Sequence, residues 1–83
     1  MVKIYPSPAN SYITIEMVDL QSKEQIHISV INTVGVELLN HTGKIENGGI
    51  VNLMTQELAT GHYFVLIYQG KTIVQKQAIE IIH

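Results

Sequence analysis

The stretch Leu58-Ala59-Thr60-Gly61-His62-Tyr63 runs directly into the apolar segment Phe64-Val65-Leu66-Ile67-Tyr68. A leucine, then a glycine, then a tyrosine one residue into a β-strand is a way in which β-sandwiches turn the corner between their two sheets. The ring fills the core at the corner, and its hydroxyl bonds to backbone a few residues upstream. A corner also calls for a residue that tolerates unusual φ, which is the expectation for Gly61. The segment therefore points to an immunoglobulin-like antiparallel β-sandwich. Direct contact of Gly61 or Tyr63 with a partner is the alternative to this structural role.

The rest of the chain supplies strands for such a sandwich. Val2 to Tyr5 is a short extended piece, and Pro6-Ser7-Pro8 then forces β or polyproline geometry. In Tyr12 to Met17 the residues Ile13, Ile15 and Met17 share one face, as expected of a strand with one buried side. Gln25 to Ile31 repeats the pattern, with Ile26, Ile28 and Val30 inward and His27 and Ser29 outward. Asn32-Thr33-Val34-Gly35 reads as a tight hairpin turn leading to a strand over Val36 to Asn40. His41 to Gly49 is predicted to be a polar loop, followed by a short strand over Ile50 to Leu53. Gln69-Gly70 is short enough for a two-residue hairpin between Tyr63–Tyr68 and a final strand over Lys71 to Ile82. These are about seven strands with turn signals between them, and no segment carries a helical apolar period.

Two strands break simple alternation. Tyr63, Val65 and Ile67 line one face of the sixth strand, and Phe64, Leu66 and Tyr68 make the other face apolar as well. Either neighbouring side chains cover that second face, or it is a contact patch for another protein, the parent domain or a second copy in a weak homodimer. The last strand changes facing across Gln75-Lys76-Gln77, which predicts a β-bulge near Lys76 that presents this lysine outward. The alternative is an edge strand on which lysine discourages sheet-to-sheet pairing.

Composition removes several classes of function. With 83 residues the chain makes one domain, and with no cysteine its stability rests on packing alone. The net charge is -2, with five lysines and no arginine, which is no footprint for nucleic acid. No apolar run approaches the ~20 residues of a membrane-spanning helix. His27, His41, His62 and His83 are too scattered for a local metal motif, so no metal and no cofactor are expected. No serine sits in a nucleophile elbow, no carboxylate pair stands out, and catalysis is not expected. Met1 followed at once by a strand, with no signal peptide, reads as a domain excised from a larger parent protein.

The order of motifs resembles a known family. The chain opens with Ile4-Tyr5-Pro6-Ser7-Pro8-Ala9 and has Ile28-Ser29-Val30-Ile31-Asn32-Thr33-Val34-Gly35 in its middle. Then follow Val51-Asn52-Leu53, the corner through Gly61 and Tyr63, and Lys76-Gln77-Ala78-Ile79. This order resembles the type A C-terminal sorting domain of the type IX (Por) secretion system of Bacteroidetes, over nearly the whole chain. The family usually carries Asn between the two prolines where this chain has Ser7. Both residues bond nearby backbone in turns, so the departure is mild.

The resemblance implies a single sorting domain, residues 1–83, at the end of a secreted cargo protein. The cargo crosses the periplasm and is recognised through this domain by the outer-membrane translocon. A sortase-like cysteine protease then removes the domain, leaving the cargo at the cell surface or outside. On this reading Tyr5, Pro6, Pro8, Gly61, Tyr63 and Lys76 are the motif residues, and Lys76 is the best candidate for direct recognition. The rival is an immunoglobulin- or fibronectin-like binding or spacer module, including a carbohydrate-binding one. Tyr12 and Tyr68 are the residues that a sugar platform would use.

Overall fold

A computed structural model describes residues 2–5, 11–17, 25–44 and 49–83. Seven strands form: β1 (Val2–Tyr5), β2 (Tyr12–Met17), β3 (Gln25–Asn32), β4 (Glu37–Lys44), β5 (Ile50–Met54), β6 (Gly61–Gln69) and β7 (Thr72–Ile81). They build two antiparallel sheets, β1-β2-β5 and β4-β3-β6-β7. Lettered in chain order in the immunoglobulin manner, these are A-B-E and C′-C-F-G. The fourth strand thus joins the sheet of the last hairpin and not the sheet of the first strands.

The alternating isoleucines explain why these segments pair. Ile13, Ile15 and Met17 of β2 and Ile26, Ile28 and Val30 of β3 are buried, each row facing the other sheet. Val65 and Ile67 of β6 and Ile79 and Ile81 of β7 complete the core, with Leu58 entering from the β5–β6 crossover. Full burial of each such side chain stabilises by about 1.5–3 kcal/mol, and no disulfide assists it. Ser29 lies on the outer face of β3 yet is also buried. It is flanked there by Asn40 of β4 and Leu66 of β6, as befits a central strand.

The β3–β4 turn forms where the sequence predicts it. Gly35 has φ +88°, and the Asn32 carboxamide oxygen accepts from the backbone N–H groups of Val34 at 3.0 Å and Val36 at 2.9 Å. One polar side chain thereby satisfies two donors of the loop.

Three boundaries differ from expectation. His41 to Lys44 continue β4 instead of forming a loop, pairing with Ile28, His27, Ile26 and Gln25. Among the described residues β4 is an edge strand, held by its backbone ladder to β3, so it needs no apolar alternation. The hairpin between β6 and β7 turns through Gly70-Lys71 and not Gln69-Gly70, because Gln69 pairs with Thr72. Gly70 then occupies the first turn position with φ +60°, which the primed hairpin turns require. The bulge in β7 falls at Val74, since Ile67 opposes Gln75 while Tyr68 opposes Ile73. Val74 is thus the extra residue, two positions before Lys76, and it packs against the core.

Candidate functional site

The corner between β5 and β6 is built as the sequence suggests, with one exception. Tyr63 is buried, and its hydroxyl donates to the carbonyl of Ala59 at 2.5 Å. Leu58 packs into the core, and its N–H closes a turn onto the Thr55 carbonyl at 3.1 Å. Thr55 is itself fully buried, and its N–H reaches the Ser11 carbonyl at 2.8 Å, which ties the corner to the start of β2. Gly61 is the exception, because it is not among the glycines of positive φ. It is the first residue of β6, paired with Ile81, and extended backbone asks for no special tolerance there. A Cβ at Gly61 would meet the Tyr63 ring at 3.8 Å, an ordinary contact.

The residue after the last strand is fastened to the same corner. The His83 N–H donates to Thr60 Oγ1 at 3.1 Å, and its ring Nε2 lies 2.6 Å from the Leu58 carbonyl. Leu58 to Thr60 therefore hold Tyr63 on one side and the segment leaving β7 on the other.

The outer face of the four-stranded sheet carries the second group of sequence candidates. The register places Ile31, Phe64 and Ala78 in one row, Ser29, Leu66 and Lys76 in the next, and His27, Tyr68 and Ile73 in a third. Phe64, Leu66 and Tyr68 are half-buried. The Lys76 ammonium lies 5.0 Å from the centre of the Phe64 ring, and the His27 ring tilts against Tyr68 at 5.9 Å. Neighbouring side chains thus cover part of this apolar row and leave part open. Lys76 is exposed on an edge strand and opposes Leu66, and among the described residues no carboxylate pairs with it. Lys76 thus stands outward on an edge strand, two residues beyond the bulge.

Three further features were not visible in single strands. Ile73 is 53% exposed beside Tyr68 and extends the apolar row onto the edge. His27 links β3 to β4 through Thr42 Oγ1 at 2.7 Å and Glu37 Oε1 at 3.4 Å. His62 and Glu80 approach to 3.8 Å across β6 and β7. These depend on cross-strand neighbours, which only the register reveals. The one available signal was the alternation that sends His27, His62 and Glu80 outward. Chemically these groups offer hydrogen bonds on an open surface. Among the described residues no three His, Cys, Asp or Glu side chains gather to hold a metal.

The remaining candidates separate. Tyr5 stands on the outer face of the other sheet, where its hydroxyl donates to Glu16 Oε2 at 2.8 Å. That hydrogen bond to a carboxylate, followed by desolvation and the nearby negative charge, raises its pKa above the ordinary tyrosine value. Pro6 and Pro8 lie outside the described residues. Tyr12 sits beside Met54 on the three-stranded sheet, and Tyr68 sits on the four-stranded one, so the two make no common platform.

Comparison with characterised proteins and with solved structures finds no match. A family model described as the secretion system C-terminal sorting domain does match, over residues 3–81. The match runs from the first strand through the tyrosine corner to the end of the last hairpin, and the chain therefore belongs to the family of secretion-system C-terminal sorting domains.

Proposed function

We propose that this domain is a type A sorting signal of a type IX (Por) secretion system in a Bacteroidetes bacterium. It directs a cargo protein attached to it from the periplasm through the outer-membrane translocon. A sortase-like cysteine protease then removes it, and the cargo stays on the cell surface or is released. The domain acts by being recognised and performs no chemistry of its own. The family match over residues 3–81 carries this reading, and the order of the Pro-x-Pro, Gly-x-Tyr and late-lysine motifs supports the subtype.

Within the domain, the β6–β7 hairpin is the proposed recognition element. It offers an edge strand whose backbone can pair with a receptor strand, and Lys76 as a side-chain determinant beside that edge. Tyr63 and Gly61 shape the corner that holds the hairpin. Tyr5 ends the first strand of the sandwich, and Pro6 and Pro8 follow it in sequence, before β2.

The test is a reporter with an N-terminal signal peptide and this domain at its C-terminus, expressed in a host that has the system. Export that depends on the fused domain is expected, and retention of the reporter inside the outer membrane would refute the proposal. Lys76→Ala is expected to abolish export while the domain stays folded, since an exposed cation–π contact contributes only about 0.5–1 kcal/mol. Lys76→Arg should keep the cation and restore export. Export of both variants at the parent level would remove Lys76 from the recognition element.

A further inference from the structure

Strand β5 is an unusual edge. Among the described residues each of the other three edge strands carries a charged residue: Lys3 in β1, Glu37 in β4 and Lys76 in β7. Charge of this kind blunts edge-to-edge pairing. In contrast, β5 reads Ile50-Val51-Asn52-Leu53-Met54, with no charge, no proline and no register shift.

Its hydrogen-bonding side is fixed by the partners of its flanks. The Met17 N–H donates to the Gly49 carbonyl at 2.9 Å, and the Thr55 N–H donates to the Ser11 carbonyl at 2.8 Å. The antiparallel pattern alternates, so Val51 and Leu53 also bond to β2. The N–H and C=O groups of Ile50, Asn52 and Met54 therefore point away from β2, and no strand among the described residues meets them. The side chains of Ile50 and Met54 are 56% and 59% exposed, far above those of a covered strand.

We propose that this edge pairs with β5 of a second copy of the chain, antiparallel about a two-fold axis at Asn52. In that register Ile50 faces Met54 of the other copy, Val51 faces Leu53, and Asn52 faces Asn52. Apolar side chains meet apolar ones at both ends and a polar pair meets at the centre. The open groups of Ile50, Asn52 and Met54 in one copy all find complements in the other, so the ladder leaves none unpaired. Shifting the register by two residues either way strands some of these groups and breaks the matching, which is what selects this alignment. The product is a continuous six-stranded sheet, β1-β2-β5 joined to its symmetry mate, with an isologous interface.

A five-residue ladder covers well under the ~1,200 Å² of a stable interface. Self-association is therefore weak, with a dissociation constant on the order of 0.1–1 mM. This interface lies on the sheet opposite to Phe64, Leu66 and Tyr68, and it stands independently of the sorting function.

The test uses the 83-residue protein across concentrations spanning that range, followed by sedimentation and by amide exchange in NMR spectra. A monomer–dimer equilibrium is expected, with the amides of Ile50, Asn52 and Met54 gaining protection as concentration rises. Asn52→Lys and Asn52→Glu should each abolish the dimer by placing like charges across the axis. A mixture of the two should restore it as a heterodimer, which a merely misfolded variant would not do. A protein that stays monomeric throughout overturns the proposal. So does a dimer that survives Asn52→Lys, or one that is lost on Leu66→Lys instead.

Discussion

Replacing Tyr63 by Phe removes one hydroxyl and leaves the corner ring in place, so it isolates the bond to the Ala59 carbonyl. Ala59 is exposed and its bond to the hydroxyl is only part-buried, so water is expected to replace the hydroxyl at its carbonyl. The loss is then that of an ordinary net hydrogen bond, about 1 kcal/mol, without the added penalty of a buried orphan. For a domain of this size that lowers Tm by roughly 4–8 °C. Tyr63→Ala also empties a buried aromatic site beside Leu58 and Ile79, and an aromatic-to-alanine change in a core costs about 3–5 kcal/mol. A chain of 83 residues has a total stability of only about 4–12 kcal/mol at typical values per residue. The alanine variant is therefore expected to lose about a quarter or more of the total stability, and the phenylalanine variant a much smaller share. Gly61→Ala belongs in the same series, because extended backbone and a 3.8 Å contact predict a neutral to stabilising change of up to about 1 kcal/mol. Urea unfolding with a shared m-value, alongside calorimetric Tm, measures all three. Phe and Ala variants of equal stability would refute the division between ring and hydroxyl. A Gly61→Ala loss above about 1 kcal/mol would show that the corner does demand glycine backbone freedom.

Other outcomes follow from local geometry. Gly35→Ala keeps an open surround but forces an L-residue to φ +88°, so it should lose about 1–2 kcal/mol in urea melts, whereas a neutral result would mean the turn rearranges. Asn32→Ala removes two hydrogen bonds from the same turn and should cost about 1–2 kcal/mol, with faster amide exchange at Val34 and Val36. Tyr5 should titrate above the ordinary tyrosine value of 10.0 in alkaline NMR titrations, and Glu16→Gln should bring it back toward that value. The fold holds that phenol proton more tightly than the unfolded chain does. The resulting stabilisation is present below the unfolded pKa and vanishes as pH rises through the raised value.

What the sequence displayed depended on where each strand lies. β2 was legible to the residue, because a strand with one buried face must alternate, and Ile13, Ile15 and Met17 do. The tyrosine corner was legible because Leu58 and Tyr63 answer a single geometric need, whereas Gly61 has neither a positive φ nor a close contact that calls for glycine. The second half of β4 was hidden, since an edge strand buries few side chains and His41 to Lys44 look like a loop. The Val74 bulge was displaced by two residues because the polar triplet marks where facing has already changed, not where the extra residue sits. Of the candidate site, the composition of the outer row of β6 could be read directly. Its neighbours could not, because Ile73, Lys76 and His27 come to it only through pairing across strands.

The late position of Ile79 and Ile81 has a consequence for when the domain can fold. Both fill the core, and β7 is the last strand made, while β5 closes the first sheet only after β3 and β4 have been laid down. Topologies dominated by such distant pairings fold in milliseconds to seconds. A chain broken off before Ile79 lacks the side chains that seal the sandwich, so a prematurely terminated product displays no folded address. The folding of the sorting domain is thereby made conditional on synthesis of its final hairpin.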